Sequence, residues 1–245
     1  MTPIVIIPAR LAASRLPGKP LADIEGLPMI LHVLRRAERA GVGEIAVAAG
    51  DPEIVEVVRA AGGRAVLTDP DLASGSDRVL AALGALDPDG RCDVVVNLQG
   101  DMPFISPSVL TACVGVLAAQ ADCDIATAIA PEASPADRAD PAVVKAVVSL
   151  AQGDPRGRAL YFTRSELYGD APVWKHVGVY AYRRQALERF CLAPPSPLER
   201  REKLEQLRAL ELGLSIWAAV VDETPISVDT PADLEAARAF ARGRR

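Results

Sequence analysis

The chain has 245 residues, half of them apolar, and a formal net charge of −5 at pH 7. That acidity argues against general affinity for nucleic acid or anionic membranes, while the length suits one α/β domain burying about 70–75% of its unfolded surface. Four cysteines (Cys92, Cys113, Cys123, Cys191) without C-x-x-C spacing and only two histidines (His32, His176) suggest neither a zinc site nor a disulfide framework.

Strand-like and helix-like segments alternate from the start, as in a mainly parallel sheet covered on both faces. The apolar run Ile4–Ile7 predicts the first strand. Pro28–Ala40 predicts a helix, with Pro28 suited to its first turn, Gly41 to its end, and Ile30, Val33, Leu34 and Ala37 forming one apolar stripe. Strands follow at Ile45–Ala49 and Ala65–Thr68, separated by a helix over Pro52–Ala61. Ser76–Leu86 reads as a helix, Asp93–Leu98 as a buried strand, and Pro107–Ala119 as the next helix. In the second half, Ile125–Ala130, Val143–Leu150 and Val177–Tyr182 read as strands between long connections rich in Pro and Asp. Pro197–Leu212 predicts one strong helix, Ile216–Val221 a late strand and Pro231–Arg242 the closing helix. These elements are expected to complete the same sheet and to build a lobe over its C-terminal edge. The three arginines of Ala241–Arg245 read as a frayed basic end.

No signal peptide is expected, because no basic segment precedes the short N-terminal apolar run. The longest later apolar stretch, Val109–Ala119, is far below the ~20 residues of a membrane span. A soluble cytoplasmic protein, not bound to membranes, is the expectation.

Residues Ile4–Lys19 (IVIIPARLAASRLPGK) end a short strand at Pro8 and then place three cations, Arg10, Arg15 and Lys19, among small and turn-forming residues. Such a loop is how an open α/β sheet presents charge to an anion. It is not a P-loop, since Ala13 stands at the first glycine position and Pro20 follows Lys19. No G-x-G-x-x-G follows the strand, which disfavours a nicotinamide oxidoreductase. Spacing alone leaves a phosphate-binding loop and a solvated basic loop equally open. Asn97-Leu98-Gln99-Gly100-Asp101 ends a strand, where ligands of open sheets gather, and Gly100 allows close backbone approach. Ser227-Val228-Asp229-Thr230-Pro231 places another aspartate before the closing helix. Taken singly, each aspartate also reads as a turn or cap residue. Ser74-Gly75-Ser76-Asp77-Arg78 opens a helix that Ser76 can cap.

The run P-A-R-x-x-[AS]-[ST]-R-L-P-G-K-P resembles the nucleotide-binding signature of sugar nucleotidyltransferases of the cytidylyltransferase type. Three further segments extend the resemblance over nearly the whole chain: Tyr161-Phe162-Thr163-Arg164, Lys175–Tyr180 (KHVGVY) and Pro195–Leu212 (PSPLERREKLEQLRALEL). The last is specific to CMP-KDO synthetases (3-deoxy-manno-octulosonate cytidylyltransferases), the family the chain most resembles. The resemblance implies an α/β fold of the nucleotide-diphospho-sugar transferase type: a mainly parallel Rossmann-like sheet with helices on both faces and a small sugar-binding and dimerisation lobe. The whole chain, 1–245, would form one domain, with a nucleotide-binding half (1–125), a sugar and dimer lobe (126–225) and a closing segment (226–245).

By the same resemblance the enzyme transfers CMP from CTP to the anomeric 2-hydroxyl of KDO, releasing pyrophosphate, for lipopolysaccharide synthesis in a Gram-negative bacterium. Arg15, Lys19, Asp101 and Asp229 are the implied catalytic residues, with Asp101 and Asp229 holding Mg²⁺. CTP would meet Ala9, Arg10, Arg15, Lys19, Ser74, Gly75, Arg78, Gln99 and Gly100. The sugar would meet Gln99, Arg164, His176, Tyr180, Glu205 and Gln206. Arg164 would grip a carboxylate bidentately. For His176 taken alone, a satisfied core histidine is the competing role. A homodimer is implied. Two departures stand out: Met102 where many members have Glu, and Gly50 where many have Thr before an Asp. A cytidylyltransferase for 8-amino-KDO or sialic acid, and a silent nucleotide-binding protein on the same fold, are the alternatives.

Overall fold

The computed structural model describes residues 1–12, 15–132, 134–169, 171–222 and 224–243. Ala13 and Ser14 of the opening run, and Arg244 and Arg245 of the basic end, lie outside the described residues. The chain divides into two compact units, one formed by Met1–Leu110 with Pro225–Arg245 and the other by Thr111–Thr224.

In the first unit, β1 (Pro3–Ala9) leads through a 3₁₀ turn at Lys19–Leu21 and a small hairpin of β2 (Asp23–Ile24) and β3 (Leu27–Pro28) into α1 (Met29–Ala40). Then come β4 (Glu44–Ala49), α2 (Pro52–Ala60), β5 (Ala65–Leu67), α3 (Gly75–Leu86) and β6 (Val94–Leu98). Outside the hairpin, the unit's strands lie in the order β5-β4-β1-β6 and are all parallel. Ile4 to Ile7 are essentially fully buried, as expected of a strand with neighbours on both sides. From β1 the chain winds outward through β4 and β5, then returns to the other side of β1 as β6. This reversal creates a switch point between the carboxyl ends of β1 and β6, where open α/β sheets bind ligands.

α4 (Pro107–Ala119) precedes the second unit's strands: β7 (Ile125–Pro131), β8 (Lys145–Leu150), β9 (Arg156–Thr163), β10 (Trp174–Arg183) and β11 (Ile216–Val220). A four-residue α5 (Ala136–Ala139), α6 (Arg184–Leu192), α7 (Pro197–Glu202) and α8 (Gln206–Glu211) lie between them. The strand order is β10-β7-β11-β9-β8, and the start of β10 also pairs with β8. Only β7 and β11 run parallel; β10–β7, β11–β9 and β9–β8 are antiparallel. The expected mainly parallel sheet therefore describes the first unit and not the second, which is mixed. A physical reason is the short turn at 151–155 between β8 and β9, which can join only antiparallel neighbours. β9 escapes the sequence pattern because its arginines, Arg156 and Arg158, interrupt the apolar alternation.

The single helix expected over Pro197–Leu212 is two. Lys203 sits in the left-handed region (φ 56°, ψ 45°) and ends α7. α8 then folds back so that Arg208 reaches Glu199 through Nη2–Oε1 at 2.7 Å and Nε–Oε2 at 2.8 Å. The same guanidinium lies 4.5 Å from the Phe190 ring centroid and donates to the carbonyls of Phe190 and Ala193. Leu204 and Leu207 are buried as expected.

The closing helix α9 (Pro231–Arg242) belongs to the first unit. Its Leu234 and Ala237 pack with Val228, Ile24 and Met29, while Arg238 Nε donates to the Asp23 carbonyl at 2.9 Å. These contacts tie the chain's last segment to the hairpin that follows the cationic loop.

Left-handed backbone costs a non-glycine residue about 1–2 kcal/mol, part of which returns through the extra freedom of unfolded glycine. Lys203→Gly should therefore stabilise the protein by about 0.5–1 kcal/mol, and Lys203→Ile should destabilise it by more than that. Urea unfolding midpoints of the three proteins would check both signs.

Candidate active site

The switch point of the first unit opens into a pocket of ≈ 320 Å³, lined by the ends of β1 and β6, the cationic loop, the start of α3 and Asp229. The loop is anchored at both ends. Leu11 N–H donates to Asp51 Oδ2 at 2.7 Å, and the Leu11 carbonyl accepts from Gly18 N–H at 3.0 Å. Gly18 has φ 71°, a left-handed turn that admits glycine readily, and it delivers Lys19 into the 3₁₀ turn. On the β6 side, a Cβ on Gly100 would lie 2.9 Å from the Pro8 carbonyl oxygen, so the two strand ends can approach only because residue 100 has no side chain.

Lys19 Nζ lies 3.1 Å from both Asp101 Oδ2 and Asp229 Oδ1. Arg15 Nη2 approaches the other Asp229 oxygen, Oδ2, at 3.3 Å. The two distant aspartates thus meet around one cation. Backbone geometry enforces the meeting, because Val228 N–H donates to the Asp101 carbonyl at 2.9 Å. The closing helix has its own cap: Thr230 and Asp233 form a reciprocal capping box, and Asp233 Oδ2 also accepts the Asp229 backbone N–H at 3.1 Å. Asp229 is therefore released from the capping role its sequence position allows. Desolvation raises the Asp101 carboxyl above its usual range, opposed by the Lys19 ammonium and reinforced by the Asp229 charge. Ionised Asp101 thus depends on a nearby cation.

The other residues expected around a nucleotide divide by role. Ala9, Arg10, Ser74, Gly75, Gln99 and Gly100 line the pocket, Arg10 as an exposed cation. Ser74, not Ser76, caps α3, in a box with Asp77; Ser76 is buried and accepts from Asn97 Nδ2 at 3.4 Å. Gln99 Nε2 donates to Asn97 Oδ1 at 2.9 Å, which orients its amide. Arg78 touches the pocket but is 2% exposed, and it donates to Thr68 Oγ1, Asp69 O and Pro70 O. It braces the 68–70 loop from within. Gly50 accommodates it: a Cβ there would lie 2.9 Å from Arg78 Nη1. Met102, the other departure, is a buried apolar residue.

The residues expected around the sugar, apart from Gln99, belong to the second unit. His176 lies on β10 with its ring 4.9 Å from Phe162 and 5.5 Å from Tyr180, and its Nε2 is 2.9 Å from Thr127 Oγ1. Tyr180 is raised far above the usual phenol range by burial and by the Glu205 charge, so it remains a neutral donor. Gln206 is 7% exposed, and its Nε2 has no hydrogen-bond partner among the described residues. Arg164 instead spends two donors internally, on the Glu202 carbonyl at 3.3 Å and the Pro141 carbonyl at 2.9 Å. Its backbone carbonyl accepts from the buried Lys145 Nζ at 2.9 Å.

Thr230 before Pro231, with Asp233 nearby, reads in the sequence as a good helix start, and the capping box bears that out. Sequence reasoning missed Asp51 and Thr127 as organisers of these groups, because their partners are distant in sequence.

Burial alone lowers the His176 imidazole from 6.5 to about 4. The folded protein then resists a proton that the unfolded chain accepts, so this contribution to stability is complete above about pH 6.5 and is lost as pH falls from there toward about 4. Compared with a His176→Gln variant, the native protein should lose urea resistance across that window, as parallel unfolding curves at stepped pH would reveal.

The family profile described as Cytidylyltransferase matches residues 4–216. The 3-deoxy-manno-octulosonate cytidylyltransferase of Rhodospirillum centenum is 59% identical over 239 residues, covering 97% of this chain and 93% of the relative. That of Methylobacterium radiotolerans is 57% identical over 244 residues, covering 99% and 98%. Among solved structures, CMP:2-keto-3-deoxy-manno-octonic acid synthetase complexed with CTP superposes with a TM-score of 0.91 at 40% identity, over the full length of both chains. A 4-diphosphocytidyl-2C-methyl-D-erythritol synthase from Anaerococcus prevotii, at 14% identity and a TM-score of 0.66, shares the fold. With its switch-point pocket, its paired aspartates and this degree of likeness, the chain belongs to the 3-deoxy-manno-octulosonate cytidylyltransferase family.

Proposed function

We propose that the protein transfers CMP from CTP to the anomeric 2-hydroxyl of KDO, giving CMP-KDO and pyrophosphate. The sugar oxygen forms a bond to the α-phosphorus, the bond from that phosphorus to the β-phosphate oxygen breaks in line, and the hydroxyl proton is released. The observation that carries this reading is the convergence of Asp101, Asp229, Lys19 and Arg15 on one pocket at the β1/β6 switch point.

The central obstacle is charge. A sugar carboxylate must approach a nucleotide bearing about four negative charges, and at an effective dielectric near 20 each unit pair at ~4 Å costs ~4 kcal/mol. Arg10, Arg15 and Lys19 offset that repulsion along the triphosphate, and Lys19 neutralises charge near the phosphorus under attack. Backbone around Gly100 and the Ser74-Gly75 turn bound the nucleoside, and Gln99 reaches the sugar. No side chain needs to act as a covalent nucleophile.

The donor set suits Mg²⁺. Asp101 and Asp229 already share one cation, the Lys19 ammonium. Two carboxylates with substrate oxygens filling the remaining positions are the usual provision for this hard ion. Held by Asp101 and Asp229, Mg²⁺ would offset the phosphate and sugar charges and favour ionisation of the attacking hydroxyl.

The first unit is the nucleotide-binding part in this reading. His176, Tyr180, Glu205 and Gln206 of the second unit take the sugar hydroxyls, and that unit also supplies a homodimer contact. The setting is the cytoplasm, ahead of lipopolysaccharide assembly; no helix among the described residues is long and apolar enough to cross a membrane.

Incubation with CTP, Mg²⁺ and KDO should release pyrophosphate and form the CMP-sugar, with 8-amino-KDO and sialic acid turned over more slowly and chelation of divalent ions stopping the reaction. Asp101→Asn and Asp229→Asn should each reduce pyrophosphate release by at least about 100-fold, with an unchanged circular dichroism spectrum. Near-normal turnover in either variant would remove that residue from the mechanism.

A further inference from the structure

Thr127 Oγ1 faces three groups: the Val179 carbonyl at 2.8 Å, the Val177 carbonyl at 3.2 Å and His176 Nε2 at 2.9 Å. The cluster arises from an irregularity in β10. Val177 pairs with Ala128 and Tyr180 with Thr127, so the ladder skips Gly178 and Val179. The buried hydroxyl of Thr127 meets the carbonyl of Val177, just before the skipped residues, and that of Val179, the second of them.

A hydroxyl carries one proton, and carbonyl oxygens only accept. If that proton pointed at His176, both carbonyls would face a hydroxyl lone pair at hydrogen-bond distance; pointed at the Val179 carbonyl, the shorter contact at 2.8 Å, it leaves only the Val177 carbonyl at 3.2 Å so placed. The proton therefore belongs to the carbonyl side, and His176 Nε2 must be the donor to Thr127 Oγ1. A neutral imidazole protonated at Nε2 carries its lone pair on Nδ1, which has no hydrogen-bond partner among the described residues. Burial without a neighbouring charge keeps the ring neutral, since its pKa falls to about 4. Phe162 of β9 and Tyr180 of β10 flank the ring, and neither can drive its protonation.

We infer that Thr127 is a positioning residue that fixes His176 as the Nε2–H tautomer, so that Nδ1 accepts a hydrogen bond from a hydroxyl of KDO. This deepens the proposed function and rests on its placement of His176 at the sugar.

With only two histidines in the chain, imidazole ¹⁵N spectra are simple to read, and a His176→Gln spectrum assigns the signals. His32 is an internal reference, because its Nε2 lies 2.9 Å from the Ile24 carbonyl and must also be protonated. At neutral pH the native protein should show His176 protonated at Nε2 and bare at Nδ1, and added KDO should shift the Nδ1 signal while Nε2 stays protonated. Thr127→Val should mix the tautomers and raise the KM for KDO about threefold to tenfold, the worth of one hydrogen bond, without changing the KM for CTP. Thr127→Ser should restore both. A proton on Nδ1 in the native protein overturns the inference, and this measurement stands even if Thr127→Val does not fold. A native KM for KDO in folded Thr127→Val overturns the positioning role. A native KM for KDO in His176→Gln instead removes His176 from the sugar and leaves the tautomer assignment to the spectra.

Discussion

One ammonium group holds the candidate site of the first unit together. Lys19 stands between Asp101, 82 positions away in sequence, and Asp229, 210 positions away. Two carboxylates brought this close repel each other, and Asp101 is desolvated enough for burial to favour its neutral form. A shared cation makes the arrangement tolerable with both ionised. These side chains keep partial access to water, 17% for Lys19, 24% for Asp101 and 39% for Asp229, so screening leaves each contact modest in energy. The value of the cluster lies in geometry: it keeps two anionic groups facing one point that a cation must fill. In the proposed mechanism Asp101 and Asp229 would hold a divalent ion, and Lys19 beside them would meet the phosphate charge.

That geometry depends on a division of labour among acidic residues. Helix starts attract aspartate, and Asp229 stands directly before the first cap position of α9, where capping could consume a carboxylate. Here Ser74 with Asp77 caps α3, and Thr230 with Asp233 caps α9. Against a desolvation cost, hydrogen bonds from Thr230 and from the Asp229 and Thr230 backbones hold Asp233 below the usual carboxylate range. The structural carboxylate is thus saturated with donors, while its neighbour four residues earlier remains available for cations. Asp51 does comparable work for the loop by taking the Leu11 N–H.

Much of the first unit was legible because local chemistry and fold agree there. An apolar run ending at Pro8, cations in a glycine-closed turn and an aspartate after a strand each indicate the carboxyl edge of a parallel sheet. The second unit was harder to read. Nothing in Pro197–Leu212 interrupts helical periodicity, yet Lys203 adopts a left-handed turn because Arg208 gains a buried, two-pronged partner in Glu199. Tertiary pairing overrode propensity. Arg164 shows the same limit: its motif suggests a free guanidinium, but the fold gives two of its donors to backbone carbonyls. Arg78 likewise reads as a ligand contact and is largely a brace for its own loop. Sequence identifies which residue types gather at a site more readily than which of their atoms are already spent.

The residues expected around the nucleotide and those around His176 manage polarity in different ways. The first set gathers cations and carboxylates that keep partial access to water, which suits a ligand whose recognition is dominated by negative charge. The second buries groups that stay neutral, with the His176 imidazole and the Tyr180 phenol both driven to their uncharged forms by desolvation. Neutral donors and acceptors attract weakly at a distance but discriminate by direction, because a mismatched partner leaves a buried polar atom unsatisfied. A site built to hydrogen-bond a hydroxyl can reject an analogue lacking it by about 10⁴-fold or more. Under the proposed function, charge therefore supplies the nucleotide's affinity, and fixed neutral dipoles supply the choice of sugar. A ring whose tautomer is set by Thr127 belongs to the second strategy, since a freely switching imidazole would accept a donor or an acceptor alike and give up that choice.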